Sequence, residues 1–483
     1  MNKKLILVAL SALTILASCG GSSEGGSNSN GGVFAKFDGE LERNVTIKIL
    51  DTDQAKKSGF LQESMKEFNE AYKEYGIKAV DANIDAYGDL AQNGPYGFGP
   101  DVIFNAHDQI MKYVAGKHVT PLPMNKIPDL DQYPEEALKA YRSTIGGNEY
   151  TFGVPFFIQT PMLLYRQDAL PEDWKTTLDK DQDGRPDMFE TWNSLYSWAK
   201  KVKEDSNGKQ LGFMYSMQSP YFSSGYLISN GAYYFGNNDT DTKDIGFSNG
   251  ESWKGAKMIK DLSTLMDETC QDNSASSSNP TNLAKKKVIS CLITPDVYEN
   301  YVKSLALEYE SKGMNKEEAK KKAKENLVLT VSPEFPVSGD ITNPNETEFK
   351  PTRTMGGISG YGISSYTKYP VASLEFIKFC STKAMALKRH ELEGIAPVRN
   401  DAASEIGGLS NTLFNLLKDK TMYIMPSNDA LPQAWGPLQN AFTDLAIDAF
   451  RKDNQVKYKE KEDFVKLLEK VDQDIYDAIN TLK

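Results

Sequence analysis

The amino-acid sequence predicts an α/β protein built from two lobes. Alternating apolar residues at 45–49 and an apolar run at 77–80 are typical of strands, and the apolar residues of 60–72 fall on one helical face. A third apolar run, at 102–104, follows a Gly/Pro-rich turn. Strand, helix and strand at this spacing predict a sheet with parallel neighbours. The chain has 483 residues. Because the roughly 440 residues beyond the N-terminal segment exceed a single hydrophobic core, we expect two lobes.

The N-terminus has the pattern of a bacterial export signal. Lys3 and Lys4 precede an apolar stretch at 5–16 that is too short to span a bilayer comfortably. The sequence LASC that ends at Cys19 resembles a lipobox, in which the thiol of Cys19 would carry a lipid such as palmitate. We therefore expect residues 1–19 to be a lipoprotein signal peptide. An ordinary cleaved signal peptide with an incidental cysteine is the alternative.

The remaining composition limits the classes of function. Residues 20–43 begin with a Gly/Ser/Asn-rich run and are expected to be a flexible tether. The net charge of −11 argues against binding to nucleic acid or to an anionic lipid surface. The sequence has no P-loop, no H-E-x-x-H and no G-x-S-x-G, and it contains three histidines. A catalytic carboxylate pair of the glycosidase type is not excluded by counting acids.

Further elements follow along the chain. An apolar stretch at 154–164, interrupted by two prolines, is expected to be extended, and a helix is expected from Thr191-Trp192 through Val202. Lysine and glutamate alternate at 315–326, which indicates a helix with a solvated face. Apolar residues from 464 onward recur at intervals of three and four, so we expect a C-terminal amphipathic helix packed on a core.

Residues 179–190 (DKDQDGRPDMFE) have the spacing of an EF-hand calcium loop. Gly184 stands at position 6, where the chain bends sharply, and Arg185 at position 7 need lend only its carbonyl oxygen. The predicted metal-ligating residues are Asp179, Asp181, Asp183, Arg185, Asp187 and Glu190. Without a cation these carboxylates would repel each other, so we expect bound calcium with a structural role. A solvated acidic turn is the alternative.

The cysteines leave one question open. Cys270 and Cys291 could pair across a Ser/Asn-rich segment, or each could be a buried free thiol. The sequence has no CxxC or Cys/His spacing typical of a metal site.

Three segments combine aromatic and polar residues in a way that suits a sugar. They are 217–222 (MQSPYF), 233–235 (YYF) and 425–435 (MPSNDALPQAW). A sugar presents apolar C–H faces and rings of hydroxyls, so its site needs flat aromatic surfaces beside planar hydrogen-bonding groups. Core packing is the alternative for any single aromatic residue. Trp435 lies between turn-forming residues and a helix start, which favours its exposure.

The chain resembles the bacterial extracellular solute-binding proteins of ABC sugar importers, and the maltose/maltodextrin-binding proteins in particular. The resemblance covers most of the chain from about residue 44. It is carried by GPDVIFNAHDQ (99–109), VPFFIQTPMLLYRQDAL (154–170), QSPYF (218–222), SNGAYYF (229–235), KDIGFSN (243–249) and MPSNDALPQAW (425–435).

The resemblance implies a set of ligand contacts. Asp53 and Asp108 stand where acceptors for sugar hydroxyls are expected, and Tyr221-Phe222 and Trp435 stand at stacking positions. Asn105 replaces an expected aromatic residue, and Gln159 replaces an expected acid. The tryptophan expected near Pro295 is missing. The amides of Asn105 and Gln159 still suit hydroxyl groups, so both are included among the ligand-binding candidates.

The resemblance also implies a fold and a function. It implies a two-lobed periplasmic-binding-protein-like fold with hinge-connected lobes, into which the calcium loop is inserted. We expect 44–159 with 333–401 in the N-terminal lobe, and 160–332 with 402–483 in the C-terminal lobe.

The implied protein is a monomeric, lipid-anchored receptor on the extracellular face of the bacterial cytoplasmic membrane. It would bind a maltodextrin-like oligosaccharide between its lobes without turnover and deliver it to an ABC permease. A lipid-anchored glycan hydrolase and a calcium-stabilised surface adhesin are the alternatives.

Overall fold

The computed structural model describes residues 31–83 and 90–481. Its strands, in chain order from β1 to β16, are Thr46–Leu50, Lys78–Asp81, Val102–Ala106, Val119–Thr120, Arg142–Ile145, Asn148–Thr151, Val154–Gln159, Met162–Arg166, Leu211–Met214, Val288–Ile293, Leu327–Thr330, Phe335–Pro336, Phe349–Lys350, Met355–Ser364, Ala396–Pro397 and Tyr423–Ile424.

The α-helices alternate with these strands. In chain order from α1 to α20, they are Gly31–Phe34, Asp53–Ser58, Phe60–Ala71, Leu90–Asn93, His107–Ala115, Glu135–Lys139, Trp174–Thr177, Trp192–Asp205, Pro220–Ile228, Gly236–Asp239, Trp253–Ser263, Ser274–Ala284, Tyr298–Glu310, Lys316–Asn326, Pro370–Cys380, Lys383–Glu393, Asn400–Ile406, Gly408–Lys418, Leu431–Asp448 and Lys461–Thr481.

The first lobe is built on a mixed sheet. Its strand order is β15-β7-β14-β3-β1-β2, and β4 and β16 also pair with β14. Strand β1 runs parallel to β2 and β3, as the sequence predicts, whereas β14 runs antiparallel to β3 and β7. Helix α3 covers this sheet with Phe60, Leu61 and Phe68, which recur on one helical face and are fully buried.

The second lobe is built on a four-stranded sheet in the order β11-β8-β10-β9. Because successive side chains of a strand point to opposite faces, Leu163 and Tyr165 of β8 enter one apolar core, whereas Leu164 enters another. Trp192, at the start of α8, is fully buried in the first of these cores. The hydroxyl oxygen of Thr191 caps α8 by accepting a hydrogen bond from the Ser194 amide.

Three segments connect the two sheets. They lie between β7 and β8, between β11 and β14, and between β16 and α19. The first and second segments contact each other, because the hydroxyl oxygens of Thr160 and Thr354 lie 2.7 Å apart. A ligand in the groove beside these segments would touch both lobes.

The predicted tether over 20–43 is wrong at its C-terminal end. Phe37 is 2 % exposed and belongs to the core of the first lobe. The Lys126 ammonium donates to the Phe37 carbonyl over 2.6 Å and fixes this segment further. The aromatic side chain of Phe37 packs this segment against the first lobe. The Gly/Ser-rich composition of the preceding run does not indicate that contact. Residues 20–30 lie outside the described residues.

The predicted return to the second lobe at residue 402 is also wrong. Leu413 and Leu417 of α18 belong to the core of the first lobe, and β16 pairs with β14 in the first sheet. The chain joins the core of the second lobe with α19, through Leu438 and Phe442. The apolar pattern of a helix shows which face is buried, but not which core receives it.

The structure answers the question about the cysteines. Cys270, Cys291 and Cys380 are free and buried, so no disulfide links Cys270 to Cys291. Burial raises the pKa of the Cys270 and Cys291 thiols to about 12, which makes both unreactive at neutral pH.

Candidate functional site

A cleft of about 360 Å³ lies between α5 of the first lobe and the segment that leads into α19. Its lining is mostly polar, with one tryptophan, and consists of Asp108, Gln109, Lys112, Ala115, Ser427, Asn428, Asp429, Leu431, Pro432 and Trp435. The cleft therefore brings together Asp108 and Trp435, which are more than 300 residues apart in the chain. A carboxylate and an aromatic ring in the lining of one cleft are the two kinds of group that a sugar requires.

Asp108 occupies the first turn of α5, immediately after the buried strand β3. Its side chain is partly buried, and Oδ2 accepts a hydrogen bond from Gln109 Nε2 over 2.7 Å. The neighbouring His107 is fully buried. Its Nε2 lies 2.8 Å from the Met425 carbonyl oxygen, and its Nδ1 lies 3.1 Å from the Ile358 amide nitrogen. A neutral ring that donates from Nε2 and accepts at Nδ1 satisfies both contacts, and it fixes the two walls of the cleft to each other.

Trp435 lies in the first turns of α19 and is partly buried. Its ring meets the Tyr234 ring edge to face, with centroids 5.9 Å apart, and the Tyr234 ring stacks on that of Tyr423 at 6.1 Å. The Tyr423 hydroxyl donates to Asp239 Oδ1 over 2.6 Å. This row of rings holds the indole in place from behind, while the indole also lines the cleft.

A second group of polar residues joins the lobes beside this cleft. Gln159 is the last residue of β7, and its Nε2 donates to Asp296 Oδ1 over 2.7 Å. The Tyr221 hydroxyl, from the first turn of α9, donates to the Gln159 carbonyl over 3.1 Å. Burial raises the pKa of Tyr221, and the charges of Asp296 and Asp108 raise it further. Both carboxylates therefore lie near the same hydroxyl, which connects this group to the cleft.

The Phe222 ring lies next to that of Tyr221, with centroids 6.0 Å apart and a near-perpendicular arrangement. Both rings are partly buried and pack on the core of the second lobe. Tyr221 thus combines a hydrogen bond across the lobes with a partly accessible ring.

The other two predicted contacts lie apart from this cleft. Asp53 is exposed in the first turn of α2, which is capped by Thr52. Asn105 is partly buried near the end of β3, where its Oδ1 accepts a hydrogen bond from the Ala106 amide over 2.8 Å. Neither Asp53 nor Asn105 is among the described residues that line the cleft. Asp53 follows β1, and Asn105 lies near the end of β3. Because β1 and β3 are parallel neighbours, both residues lie at the same edge of the sheet as Asp108.

The sequence prediction omitted Asp296. This residue lies in the 3-10 turn Pro295–Val297, directly after the buried strand β10. Asp108 lies in a similar position after β3. An acidic residue directly after an apolar strand was therefore the sequence signal that could have identified Asp296. The resemblance drew attention instead to a missing tryptophan near Pro295.

The acidic loop at 179–190 converges as its spacing predicts. Carboxylate oxygens of Asp179, Asp181 and Asp183 lie within 4.8 Å of one another, and so do those of Asp181, Asp187 and Glu190. Gly184 has φ +87°, a left-handed conformation that favours glycine. The Gly184 amide donates to Asp179 Oδ2 over 3.1 Å. The loop thus gathers its carboxylates into two overlapping groups that share Asp181.

Two buried side-chain atoms of this loop, Asp179 Oδ1 and Arg185 Nε, have no hydrogen-bond partner. Asp179 is 6 % exposed, and its Oδ1 is buried with no hydrogen bond. An unpaired buried carboxylate oxygen costs free energy unless a cation or a donor meets it. Burial and the charges of Asp181, Asp187 and Asp183 also raise the pKa of Glu190. These features fit a divalent cation with oxygen ligands.

The loop is fixed to the segment that connects β11 to β14. The Glu334 amide donates to the Glu190 carbonyl over 2.7 Å, and the Trp192 amide donates to the Glu334 carbonyl over 3.0 Å. The Arg185 guanidinium donates to the carbonyls of Phe189 and Val331. The Arg185 side chain therefore braces the loop, and its own carbonyl oxygen is the atom that the spacing offers to a cation.

Cys19 lies outside the described residues. Within residues 31–83 and 90–481, none of the helices has both the length and the apolar composition required to cross a bilayer.

Two lobes connected by three segments, with a polar and aromatic cleft beside them, define a class of binding protein. Residues 63–411 match the family described as bacterial extracellular solute-binding protein. That match spans well over half of the chain, and the chain belongs to this family. It is a solute-binding protein and not an enzyme.

Named relatives cover most of the chain at low identity. The maltodextrin-binding protein MdxE of Bacillus subtilis is 24 % identical over 453 residues, which are 92 % of this chain and 93 % of the relative. A maltooligosaccharide ABC transporter solute-binding lipoprotein of Streptococcus pneumoniae is 23 % identical over 397 residues, 81 % of this chain and 82 % of the relative.

Solved structures share the fold. The maltose-binding periplasmic protein MalE from Listeria monocytogenes, in complex with maltose, superposes with a TM-score of 0.67 at 21 % identity, over 90 % of this chain and 98 % of that chain. MalX from Streptococcus pneumoniae, in complex with maltopentaose, gives 0.64 at 19 % identity, over 88 % and 99 %. The expected periplasmic-binding-protein-like α/β fold is thereby confirmed.

Proposed function

We propose that this solute-binding protein takes up a maltodextrin-like oligosaccharide between its lobes and delivers it to an ABC permease. The observation that carries the proposal is the cleft that Asp108 and Trp435 line together. Ring C–H groups would stack on the indole while hydroxyls donate to the carboxylate. The names of the relatives, which refer to maltodextrin and maltooligosaccharide, support the same ligand class.

The cleft also suggests how binding is coupled to lobe movement. Asp108 belongs to the first lobe, and Trp435 belongs to the helix that starts the last part of the second. A sugar held by both would favour the conformation in which the lobes are close together, since a ligand stabilises the state that it binds best. The closed form would then be the form that the permease recognises.

A calorimetric titration tests this function. The soluble domain, residues 31–483, is titrated with maltooligosaccharides of increasing length, and the sugars are analysed after long incubation. We expect saturable binding at one site, a rise in melting temperature through mass action on the native state, and intact sugar. Release of shorter sugars would contradict the proposal, and so would an absence of binding along the whole series.

We also propose that the protein is anchored to the extracellular face of the cytoplasmic membrane through a lipid on Cys19. The basic and apolar segments before LASC, and the lipoprotein name of the Streptococcus pneumoniae relative, support this anchor. Cys19→Ser should release the protein from the membrane fraction. Mass spectrometry that finds an unmodified Cys19 in that fraction would contradict the proposal.

We propose, finally, that residues 179–190 bind calcium. The convergent carboxylates and the unpartnered buried Oδ1 of Asp179 support the proposal. Asp179, Asp181, Asp183, Asp187 and Glu190 would hold the ion with the Arg185 carbonyl, and the ion would neutralise their mutual repulsion. Because the loop is hydrogen-bonded to Glu334 and lines none of the cleft beside Trp435, we assign the ion a stabilising role.

A further inference from the structure

One side-chain hydrogen bond joins the end of a strand in the first sheet to the turn that follows a strand of the second sheet. Gln159 ends β7 of the first sheet, and Asp296 follows β10 of the second. The two residues are 137 positions apart, and Gln159 Nε2 donates to Asp296 Oδ1 over 2.7 Å. Both side chains are partly buried, so the bond is shielded but remains accessible to a ligand. A carboxylate from the second lobe thus faces the groove between the lobes.

Asp296 shares its surroundings with the acid of the opposite lobe. The charges of Asp296 and of Asp108 both act on the buried Tyr221 hydroxyl, which itself donates to the Gln159 carbonyl over 3.1 Å. The Tyr221 hydroxyl therefore links α9 of the second lobe to Gln159 of the first, within electrostatic reach of carboxylates from both lobes. A ligand beside Tyr221 would therefore meet a negative electrostatic environment to which both lobes contribute.

The charged residues that line the cleft beside Trp435 are mostly acidic. Asp108 and Asp429 line the cleft together with one basic residue, Lys112, whose side chain is exposed. Asp296 adds a third carboxylate. An ionised carboxylate accepts hydrogen bonds but donates none, so it suits the hydroxyls of a neutral sugar and repels a carboxylate or phosphate on the ligand.

We propose that Asp296 is a specificity-determining residue of the ligand site and that, with Asp108, it selects neutral oligosaccharides against those that carry acidic groups. The inference rests on the proposed carbohydrate-binding function and names the residue and the charge that restrict it. Asp296 accepts a ligand hydroxyl while Gln159 holds the carboxylate in place. Its charge excludes uronic acid and sugar phosphate groups from the same position.

The test compares matched ligands on matched variants by calorimetry. The ligands are a neutral maltooligosaccharide and two singly carboxylated analogues, one oxidised at the reducing end and one with a terminal glucuronate. We expect the parent to bind the neutral sugar at least tenfold more tightly than at least one of the two analogues. This ratio of affinities is the preference that the variants are compared by. Asp296→Asn keeps the shape and the acceptor for Gln159 but removes the charge, so it should reduce that preference at least threefold by improving binding of the analogue.

Two further variants control for shape and for total charge. Asp296→Glu keeps the charge and should retain the preference for the neutral sugar. Glu299→Gln removes one negative charge three residues away, where the native side chain pairs with Lys324 at 2.9 Å, and it should leave the preference unchanged. Melting temperatures are measured in parallel so that a loss of folding is recognised.

The parent protein alone supplies an independent readout. Raising the salt concentration should weaken the preference, since added ions screen the repulsion between carboxylates. The inference about Asp296 is wrong if the Asp296→Asn variant prefers the neutral sugar as strongly as the parent does. It is also wrong if the parent binds the neutral sugar and the analogues equally well. In both cases the receptor function stands. If the parent binds none of the sugars, the proposed function fails as well.

Discussion

The acidic loop and the ligand cleft both use carboxylates, but they assemble them in opposite ways. The loop gathers its carboxylates from the twelve residues 179–190, and their oxygens form two groups of three, within each of which they lie within 4.8 Å of one another. The cleft takes Asp108 from α5 and Trp435 from α19, and Asp296, from the turn after β10, accepts a hydrogen bond from Gln159 of the other lobe. A site made from one short segment can form with that segment, whereas the cleft exists when both lobes are folded and close together. We therefore expect the loop to govern stability and the cleft to govern ligand affinity.

The largest expected effect comes from the loop. Asp179→Asn with Glu190→Gln removes the first ligand and the bidentate one, so calcium affinity should be lost. At a calcium concentration about 1,000 times the dissociation constant, the free energy of unfolding should fall by about 4 kcal/mol. Thermal melts with and without chelator measure this difference, and the double variant should not respond to chelator.

The matched control is Glu172→Gln, which removes an exposed acid just outside the loop and should melt like the parent. Sugar affinity of the folded double variant should stay within about threefold of the parent. A ligand affinity that depends on calcium in a fully folded sample would contradict the separation of the two regions. Absence of calcium from metal analysis of the parent would contradict the site itself.

The cleft should show the reverse behaviour. Trp435→Ala removes the stacking surface and should weaken sugar binding by about 2–3 kcal/mol, the range of an aromatic hot spot. Trp435→Phe keeps part of that surface and should lose less. Calorimetry measures both, with Trp253→Ala as the control, because Trp253 is also partly buried and lies on α11 outside the cleft lining.

A normal affinity together with a large drop in melting temperature for Trp435→Ala would assign this residue to the core. The edge-to-face contact with Tyr234 makes some loss of stability expected. The diagnostic result is therefore the ratio of the two effects, compared with the same ratio for Trp253→Ala.

Replacement of His107 should lower both the stability of the protein and its affinity for the sugar. Replacing His107 with phenylalanine leaves the Met425 carbonyl and the Ile358 amide without their buried partner. An unsatisfied buried group costs about 1–3 kcal/mol, so stability should fall by that order. Affinity should fall as well, because His107 joins the two walls of the cleft. Chemical denaturation and calorimetry on the same sample measure both, and a stability loss with unchanged affinity would show that the walls are held elsewhere.

The smallest expected effect concerns Tyr221. Tyr221→Phe keeps the ring but removes the hydrogen bond to the Gln159 carbonyl, which should change stability or affinity by about 0.5–1.5 kcal/mol. Phe222→Leu tests the adjacent ring, which makes no such bond. If Tyr221→Phe changes neither quantity, the hydroxyl does not connect the lobes in solution.

The sequence was most informative where structure is local. The apolar periodicity of 60–72 predicted the helix that became α3, and alternation at 45–49 predicted β1. The spacing of Asp179, Asp181 and Asp183 predicted that their oxygens converge, which the structure shows. In each case the interacting residues lie within about one turn or one loop of each other, so a pattern in the sequence contains the geometry.

Long-range pairing could not be read in the same way. Nothing in the sequence near Gln159 indicates Asp296, which is 137 residues away. Helices α17 and α18 pack on the first lobe, and this placement depends on where the chain crosses between the lobes. Phe37 is buried through a tertiary contact that the composition of the tether does not reveal. The resemblance supplied Asp108 and Trp435, and it supplied no residue for the position that Asp296 occupies.

The most direct test of this account is one calorimetric titration performed twice. A maltooligosaccharide is titrated into the soluble domain at saturating calcium, and again after chelation at a temperature where the depleted protein remains folded. We predict one site per chain and dissociation constants that agree within about threefold, because the cleft binds the sugar and the loop only stabilises the fold. No detectable binding in either titration would contradict the proposed function, and binding that appears only with calcium would contradict the division between cleft and loop.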